Sequence, residues 1–355
     1  MRAPLVLAAA AALAVPAGTA HAASRLQSPS LARIAAAPAA YIADSTLAAS
    51  KASRLLLRGD YWGGRYTTPS GDAVTVYVSD SYPQDPAIPQ RWANFLSSLV
   101  HGSELSLVTA YLARLDEVQS ICGFDALACY SPRESLLVAP GDAPASDISA
   151  EAVVTHEYGH HVAAHRSDAP WPAVDYGTKR WASYMQVCRR TRAGELYPGA
   201  ETIPNYELNP GEAFAETYRV LNQRRTGVME TAWNIVDQSL YPSSTALALV
   251  EQDVTAPWTK ATTTAYRSSL SARARARTFS VATALDGTLG LTVRVAGVRV
   301  RVHVATASGA SVADRTIAPR HAATVRTTIC GQRSYSVRVT RVRGAGAVTL
   351  TVTRP

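Results

Sequence analysis

Beyond its first residues, the 355-residue chain has no apolar run approaching the roughly 20 residues that cross a bilayer, so no membrane span is expected. From Arg275 to the end there is no lysine, and only Asp286 and Asp314 carry negative charge. Against 13 arginines this gives that stretch a net charge of +11, while the rest of the chain carries −3. The basic character therefore belongs to one end, as a separate module would. Aromatics are just as scarce there. Phe279 and Tyr335 are too few to form a stacking platform for single strands, so no nucleic-acid partner is expected. A D-x-[DN]-x-[DN]-G run is missing, which argues against a calcium loop, and no internal repeat is visible. With 47% apolar and 17% charged residues, a disordered or collagen-like chain is excluded. The length allows one large domain or two ordinary ones with a substantial core.

Residues 1–22 contain Arg2, an Ala/Leu/Val run over 3–15, then Pro16 and Gly18, and end in Ala20-His21-Ala22. This is the pattern of a secretory signal peptide cleaved near Ala22. The run is too short to anchor, no cysteine follows to take a lipid, and no twin arginine precedes it, so a secreted, extracellular protein is expected. Four cysteines in an oxidising compartment read as disulfides. Cys122 and Cys129 are close enough to close a small loop. By elimination Cys188 then joins Cys330, unless these two stay as buried thiols.

Five segments follow: a signal peptide (1–22), an N-terminal arm or short pro-segment (23–58), a main domain (59–265), a linker (266–277) and a basic module (278–355). Residues 71–80 alternate Val74, Val76 and Val78 with polar or Tyr partners and predict a strand, and 90–100 has helical spacing. Further strands are expected at 105–115, 117–121 and 134–140. From Asp147 the pattern turns helical, with Asp147 or Ser149 as N-cap. A helix is expected over 181–190. Another opens at Asn209-Pro210, a good N-cap followed by proline at the first helical position, and should run to about Gln223. After Thr278 short alternating runs separated by Gly, Asp or Pro mark a small antiparallel sandwich.

The segment with the clearest chemistry is His156-Glu157-Tyr158-Gly159-His160, an H-E-x-x-H on a predicted helix. Four residues advance a helix by about 6 Å and slightly more than one turn, so both imidazoles reach one metal. Two neutral imidazoles suit Zn2+, one per chain, and Glu157 stands where it can address an activated water. Gly159 inside a helix costs roughly 1 kcal/mol against Ala, so its missing side chain has a use, such as close packing beneath the metal. Downstream, Glu212 and Glu216 sit at i,i+4 and face the same way. One can ligate the metal and the other can orient a ligand imidazole. With Asn209 as N-cap, Glu212 also falls where a capping box would use it, which would leave Glu216 as the ligand.

HEYGH followed by a helix bearing GEAFAE resembles the gluzincin type of zinc metallopeptidase. That resemblance covers roughly residues 60–223 and implies an α+β zincin-like catalytic domain: a mixed sheet, an active-site helix and a second helix carrying E-x-x-x-E. It implies Glu212 as third ligand, Glu216 toward His156, and Glu157 as general base in hydrolysis of a peptide or protein substrate. The gap of more than fifty residues between His160 and Glu212 is longer than in compact family members. A hydroxyl or imidazole that stabilises the oxyanion is usual in such sites. Tyr218 is the candidate taken here, with Tyr206 and His165 beside it. His161 points about 100° away from His160 and is read as packing. By the same resemblance the strand at 134–140 is either a sheet edge that binds an extended peptide or an ordinary interior strand.

The terminal module weakly resembles the small sandwiches that follow the catalytic domain in secreted bacterial peptidases. Its alternating arginines read as a solvated sheet face, with attraction to an acidic cell-surface polymer as a further partner. The rival to a secreted zinc peptidase is an extracellular binding or adhesion protein whose zinc site is structural or inactive.

Overall fold

The computed structural model describes residues 43–331 and 333–355. The expected signal peptide and the start of the arm lie outside the described residues. Where the expected arm or pro-segment is described, it is packed into the fold. Strand β1 (Ala43–Thr46) pairs in parallel with β5 (Ala126–Ser131). Helix α1 (Ala49–Arg58) follows, with Leu47, Ala52 and Leu55 buried.

The region is mixed α+β. Strands β2 (Tyr61–Thr67), β3 (Ala73–Ser79), β4 (Thr109–Ala113) and β6 (Leu136–Pro140) join β1 and β5 in one sheet of order β1-β5-β6-β4-β3-β2. The pleat sends Tyr111, Leu136, Val138 and Cys129 to one face, where Leu47, Ala52 and Leu55 meet Val118 and Cys122 of α3 (Leu115–Cys122). Ala110, Leu112, Leu137 and Ala139 point to the other face, toward α2 (Ala87–Ser98) and the helices that follow. One strand expectation needs correcting, and one that stood open between two alternatives is settled. Residues 117–121 form part of α3, because Val118 and Cys122 at i,i+4 bury one helical stripe. Strand β6 pairs with β5 on one side and β4 on the other, so 134–140 is an interior strand with no free edge for a peptide.

Helix α4 (Ala150–Ala164) starts at Ser149, whose hydroxyl accepts from the Ala152 N–H at 3.1 Å. It is buried nearly all round, as a helix without an amphipathic stripe must be. Short helices α5 (Ala173–Tyr176), α6 (Lys179–Tyr184) and α7 (Val187–Arg192) follow. The single helix expected over 181–190 is split at Gln186, which has a φ of 59°. Helix α8 (Pro210–Thr226) is capped by Asn209, whose side chain accepts from the Gly211 N–H, and α9 (Ser244–Thr255) closes the helical layer.

The C-terminal region is all-β: two four-stranded antiparallel sheets, ordered β11-β10-β13-β8 and β12-β9-β14-β7. They run from β7 (Thr262–Leu270) and β8 (Ala276–Thr283) through β9 (Gly287–Val295), β10 (Val298–Thr306), β11 (Ser311–Ile317) and β12 (Ala322–Ile329) to β13 (Arg333–Gly344) and β14 (Gly346–Arg354). Alternate Val, Leu and Ile side chains fill the space between them. The expected linker at 266–277 is mostly strand, because Tyr266 turns in to meet Phe279, with ring centroids 5.6 Å apart.

Cys122–Cys129 and Cys188–Cys330 both form disulfides, as in proteins of oxidising compartments. No helix among the described residues is long and apolar enough to cross a membrane. The second bridge ties α7 to the sandwich, and a buried cation reinforces the junction. Lys179 Nζ reaches Asp168 Oδ1 at 2.8 Å, the Ala169 carbonyl at 2.8 Å and the Asp286 carbonyl at 3.0 Å.

Burial pushes the Asp168 carboxyl up to about 7, Lys179 opposes the rise, and Asp286 and Asp253 add to it. A folded value above the unfolded one means that the native state binds more protons between about pH 4 and 7, so this group's contribution falls as pH rises through that window. Lowering the pH from 7.5 to 5 should therefore raise the melting temperature of the wild type relative to Asp168→Asn. A gap that does not change with pH would refute it.

Candidate metal centre

Helices α4 and α8 cross where α4 carries Gly159. A Cβ there would lie 2.8 Å from the Ala215 Cα and 3.2 Å from its Cβ, so only glycine permits this approach. The close crossing brings His156 and His160 of α4 up to Glu212 of α8. His156 Nε2 lies 3.2 Å from His160 Nε2 and 3.3 Å from Glu212 Oε2, and His160 Nε2 lies 3.4 Å from the same oxygen. Among the described residues this is the group of three His, Cys, Asp or Glu side chains placed to hold a metal ion, and all three are buried.

The distances fit the donor set. Ligands about 2.0–2.1 Å from a tetrahedral ion stand roughly 3.3–3.4 Å apart, the edge of that tetrahedron. Two imidazoles and one carboxylate are also the chemistry a borderline-soft divalent ion takes.

Glu216, one turn beyond Glu212, accepts a hydrogen bond from His156 Nδ1 at 2.9 Å. That leaves Nε2 as the electron-pair donor facing the triad. Arg219 in turn grips both Glu216 oxygens, at 2.8 and 2.5 Å. Burial works against ionised Glu216, but Arg219 and His156 outweigh it and hold the carboxyl down to about 2. Burial also weakens proton binding at His156, yet hydrogen bonds to Glu212 and Glu216 push it up to about 10. The carboxylate environment thus attracts a cation, whether a proton or a metal.

Glu212 has a direct place in the triad rather than a capping box: its Oε2 faces the imidazoles, while Asn209 Nδ2 meets Oε1 at 3.5 Å. Glu157 is fully buried beside His156 on α4. Tyr218 needs correcting as the oxyanion donor. It lies 200° around α8 from Glu216, and its hydroxyl is donated to the Val100 carbonyl at 2.5 Å. His165 bonds Ser135 at 3.0 Å, away from the triad. Tyr206 is the hydroxyl that reaches the site, donating to Glu212 Oε2 at 3.0 Å. His161 is packed as expected, between the Tyr130 hydroxyl and the Glu104 carbonyl, each at 2.9 Å, and burial pushes it down to about 4.

A cavity of about 60 Å3 adjoins the triad, walled by Thr46, Tyr130, Pro132, Val174, Asp175, Gly199, Glu201 and Asn209 with His160 and Glu212. Asp175, on the four-residue helix α5, and Glu201, in a loop, carry no motif in the sequence, and only the fold brings them to the triad. Burial and the neighbouring Glu201 raise the Asp175 carboxyl. Arg219 was also missed, although its i,i+3 spacing from Glu216 was visible.

No protein-family model matches the sequence, and no curated protein matches it. Solved structures that share some likeness include the pre-peptidase C-terminal domain of a Bacillus anthracis collagenase, at 18% identity over 25% of this chain and 87% of that one, with a TM-score of 0.22. The Yersinia pseudotuberculosis-derived mitogen scores 0.22 at 6% identity, covering 27% of this chain and 87% of its own. The Drosophila NLP core scores 0.17 at 17% identity, covering 25% and 95%. At these scores none bears on fold or function.

Two outcomes test the geometry. Glu212→Ala should abolish stoichiometric zinc binding, whereas Glu216→Ala should keep one zinc with affinity lowered about 10–100-fold; equal loss in both would refute the assignment. Gly159→Ala improves helix propensity, yet it should lower the melting temperature and weaken zinc binding because its Cβ forces α4 from α8. A more stable variant with unchanged zinc affinity would show that the close crossing is not needed.

Proposed function

We propose that the protein is a secreted zinc metallopeptidase of gluzincin type, with a zincin-like catalytic region and a C-terminal sandwich. The observation that carries this reading is the triangle of His156, His160 and Glu212 atoms at 3.2–3.4 Å, on two helices bearing H-E-x-x-H and E-x-x-x-E. Its substrate is a peptide or protein outside the cell. His156, His160 and Glu212 hold the zinc, which when bound supplies Lewis acidity toward a carbonyl oxygen. Glu157 acts as general base, taking a proton from the attacking water and passing it to the leaving amine. Glu216, fixed by Arg219, keeps the His156 ring in the tautomer and orientation that ligation needs. Tyr206, which touches Glu212, replaces Tyr218 as the hydroxyl placed to donate to a developing oxyanion.

One observation favours the rival reading, an extracellular binding protein with a structural or inactive zinc site. The three side chains of the triad are all buried, with His156 fully covered and His160 and Glu212 only 5% and 6% exposed, so little of the site is open to a substrate carbonyl.

The test is metal content by mass spectrometry on the secreted protein, with hydrolysis of a quenched-fluorescence peptide library by wild type and Glu157→Gln. One zinc per chain in both proteins, with cleavage lowered at least about a thousandfold in the variant, is expected. Zinc at full stoichiometry with no cleavage by the wild type would replace the peptidase reading with the structural-site one.

A further inference from the structure

Lysine is rare in this chain. Of its 35 basic residues three are lysines, and two of these, Lys51 and Lys260, are exposed. The third, Lys179, faces Asp168, with Nζ 2.8 Å from Oδ1 and both side chains 1% exposed. Arg166 with Glu104 and Arg219 with Glu216 make buried pairs with arginine instead. A guanidinium suits a permanent buried pair, since it is weakly hydrated and its fork meets a carboxylate two-pronged. The primary amine of lysine has a capacity that arginine lacks, because once neutral it is a nucleophile.

Two backbone carbonyls hold Nζ in place, that of Ala169 at 2.8 Å and that of Asp286 at 3.0 Å. They take two N–H bonds, as many as a neutral amine has, and leave the remaining position on nitrogen to Asp168. Despite the short distance, Asp168 Oδ1 receives no hydrogen bond of ordinary angle, so the contact is close without being a normal bond of an ion pair. The rings of Trp258 and Trp171 lie 4.8 and 5.7 Å from Nζ and close the pocket around it. Burial also favours the uncharged acid at Asp168, and two further carboxyls, Asp286 and Asp253, act on it in the same direction. Asp253 is committed: its oxygens accept from the Thr178 hydroxyl and from the Arg180 N–H and guanidinium at 2.7–2.8 Å. Asp286 spends Oδ1 on the Gly331 N–H and keeps Oδ2 buried with no hydrogen-bond partner.

We propose that Lys179 and Asp168 condense, once the chain has folded, into an intramolecular amide, an isopeptide bond between Nζ and Cγ. The ammonium passes one proton to the carboxylate, and the Nζ lone pair then adds to Cγ of the neutral acid. A second proton leaves nitrogen and is relayed by the Asp286 carboxyl to the departing hydroxyl. One C–N bond forms, one C–O bond breaks and one water is released, with no oxidant or cofactor and no change in net charge. The bond closes the loop between residues 168 and 179 covalently. That loop carries Val174 and Asp175 of the wall beside the triad, and its far end touches the sandwich at the Asp286 carbonyl. The pH dependence of the ion pair belongs to the chain before the bond forms and disappears as the water is lost. Neither a metal nor any hydrolytic activity is needed for it.

The test is mass spectrometry of the full mature chain, sampled from the moment of refolding, each sample reduced and alkylated. The wild type should become lighter than its sequence by one water. Trypsin should then cut after Arg166 and Arg180 but not after Lys179, releasing the peptide 167–180 one water light. Chymotrypsin, which opens that peptide at Tyr176, should leave its two halves joined. Lys179→Arg keeps the positive charge without the amine and should hold its full mass. Asp286→Asn should lose the water about a hundredfold more slowly. A wild type that keeps its full mass through prolonged incubation and is cut at Lys179 would overturn the proposal, whether or not the variants fold. So would a missing water that maps elsewhere, such as to a cyclised Asp286-Gly287, with Lys179 still open to trypsin. An Asp286→Asn rate equal to that of the wild type would overturn the relay.

Discussion

The crossing of α4 over α8 at Gly159 and Ala215 is the contact on which the candidate metal centre depends. The candidate ligand atoms are 3.2–3.4 Å apart, yet His160 and Glu212 are separated by more than fifty residues of chain on two helices, so helix separation must be set to within a few tenths of an ångström. A missing Cβ does this more rigidly than any side-chain contact. A methyl group at position 159 would meet backbone at 2.8 Å, and backbone in a buried helix cannot swing aside. The sheet beneath and the capped starts of both helices fix the remaining freedoms.

Burying four acidic or basic groups together is tolerable only if charges and hydrogen bonds are matched. Here the chain runs from Arg219 to Glu216 to His156 to Glu212, each link within hydrogen-bond reach. Arg219 is fully buried, and its guanidinium holds both Glu216 oxygens and anchors the sequence of alternating signs. The second buried charge system, Lys179 with Asp168 and the Asp286 carbonyl, plays a different part. It welds the helical region to the sandwich next to the Cys188–Cys330 bridge, and nothing in it resembles a ligand set.

Much of the site was legible because helical spacing is a local rule. H-E-x-x-H on a helix puts two imidazoles on one face wherever that helix sits, and Asn209-Pro210 announces the start of the helix bearing Glu212 and Glu216. Tyr218 is excluded by an equally local rule: two residues beyond Glu216 a side chain points to the far side of the helix, and its hydroxyl goes to the Val100 carbonyl. Tyr206 precedes α8 in a 3-10 turn, and no periodicity reports where such a turn aims its side chains. The strands of the sandwich are visible from alternation, but β7 straddles the expected end of the main domain at 265 and the linker at 266–277, and only its pairing with β14 assigns it to the sandwich.

From the sequence alone follow the elements with strong period, the two imidazoles and neighbouring glutamate, the pair of downstream carboxylates, and the segregation of arginine to one end. These depend on spacing within one helix or strand. Tertiary structure placed Glu212 beside the two imidazoles rather than in a capping box, turned Tyr206 rather than Tyr218 to the site, and buried β6 inside the sheet. It also brought Asp286 to Lys179. Each of those is a matter of which distant segment arrives at a given face, and that is governed by packing of whole elements rather than by the pattern of any one of them.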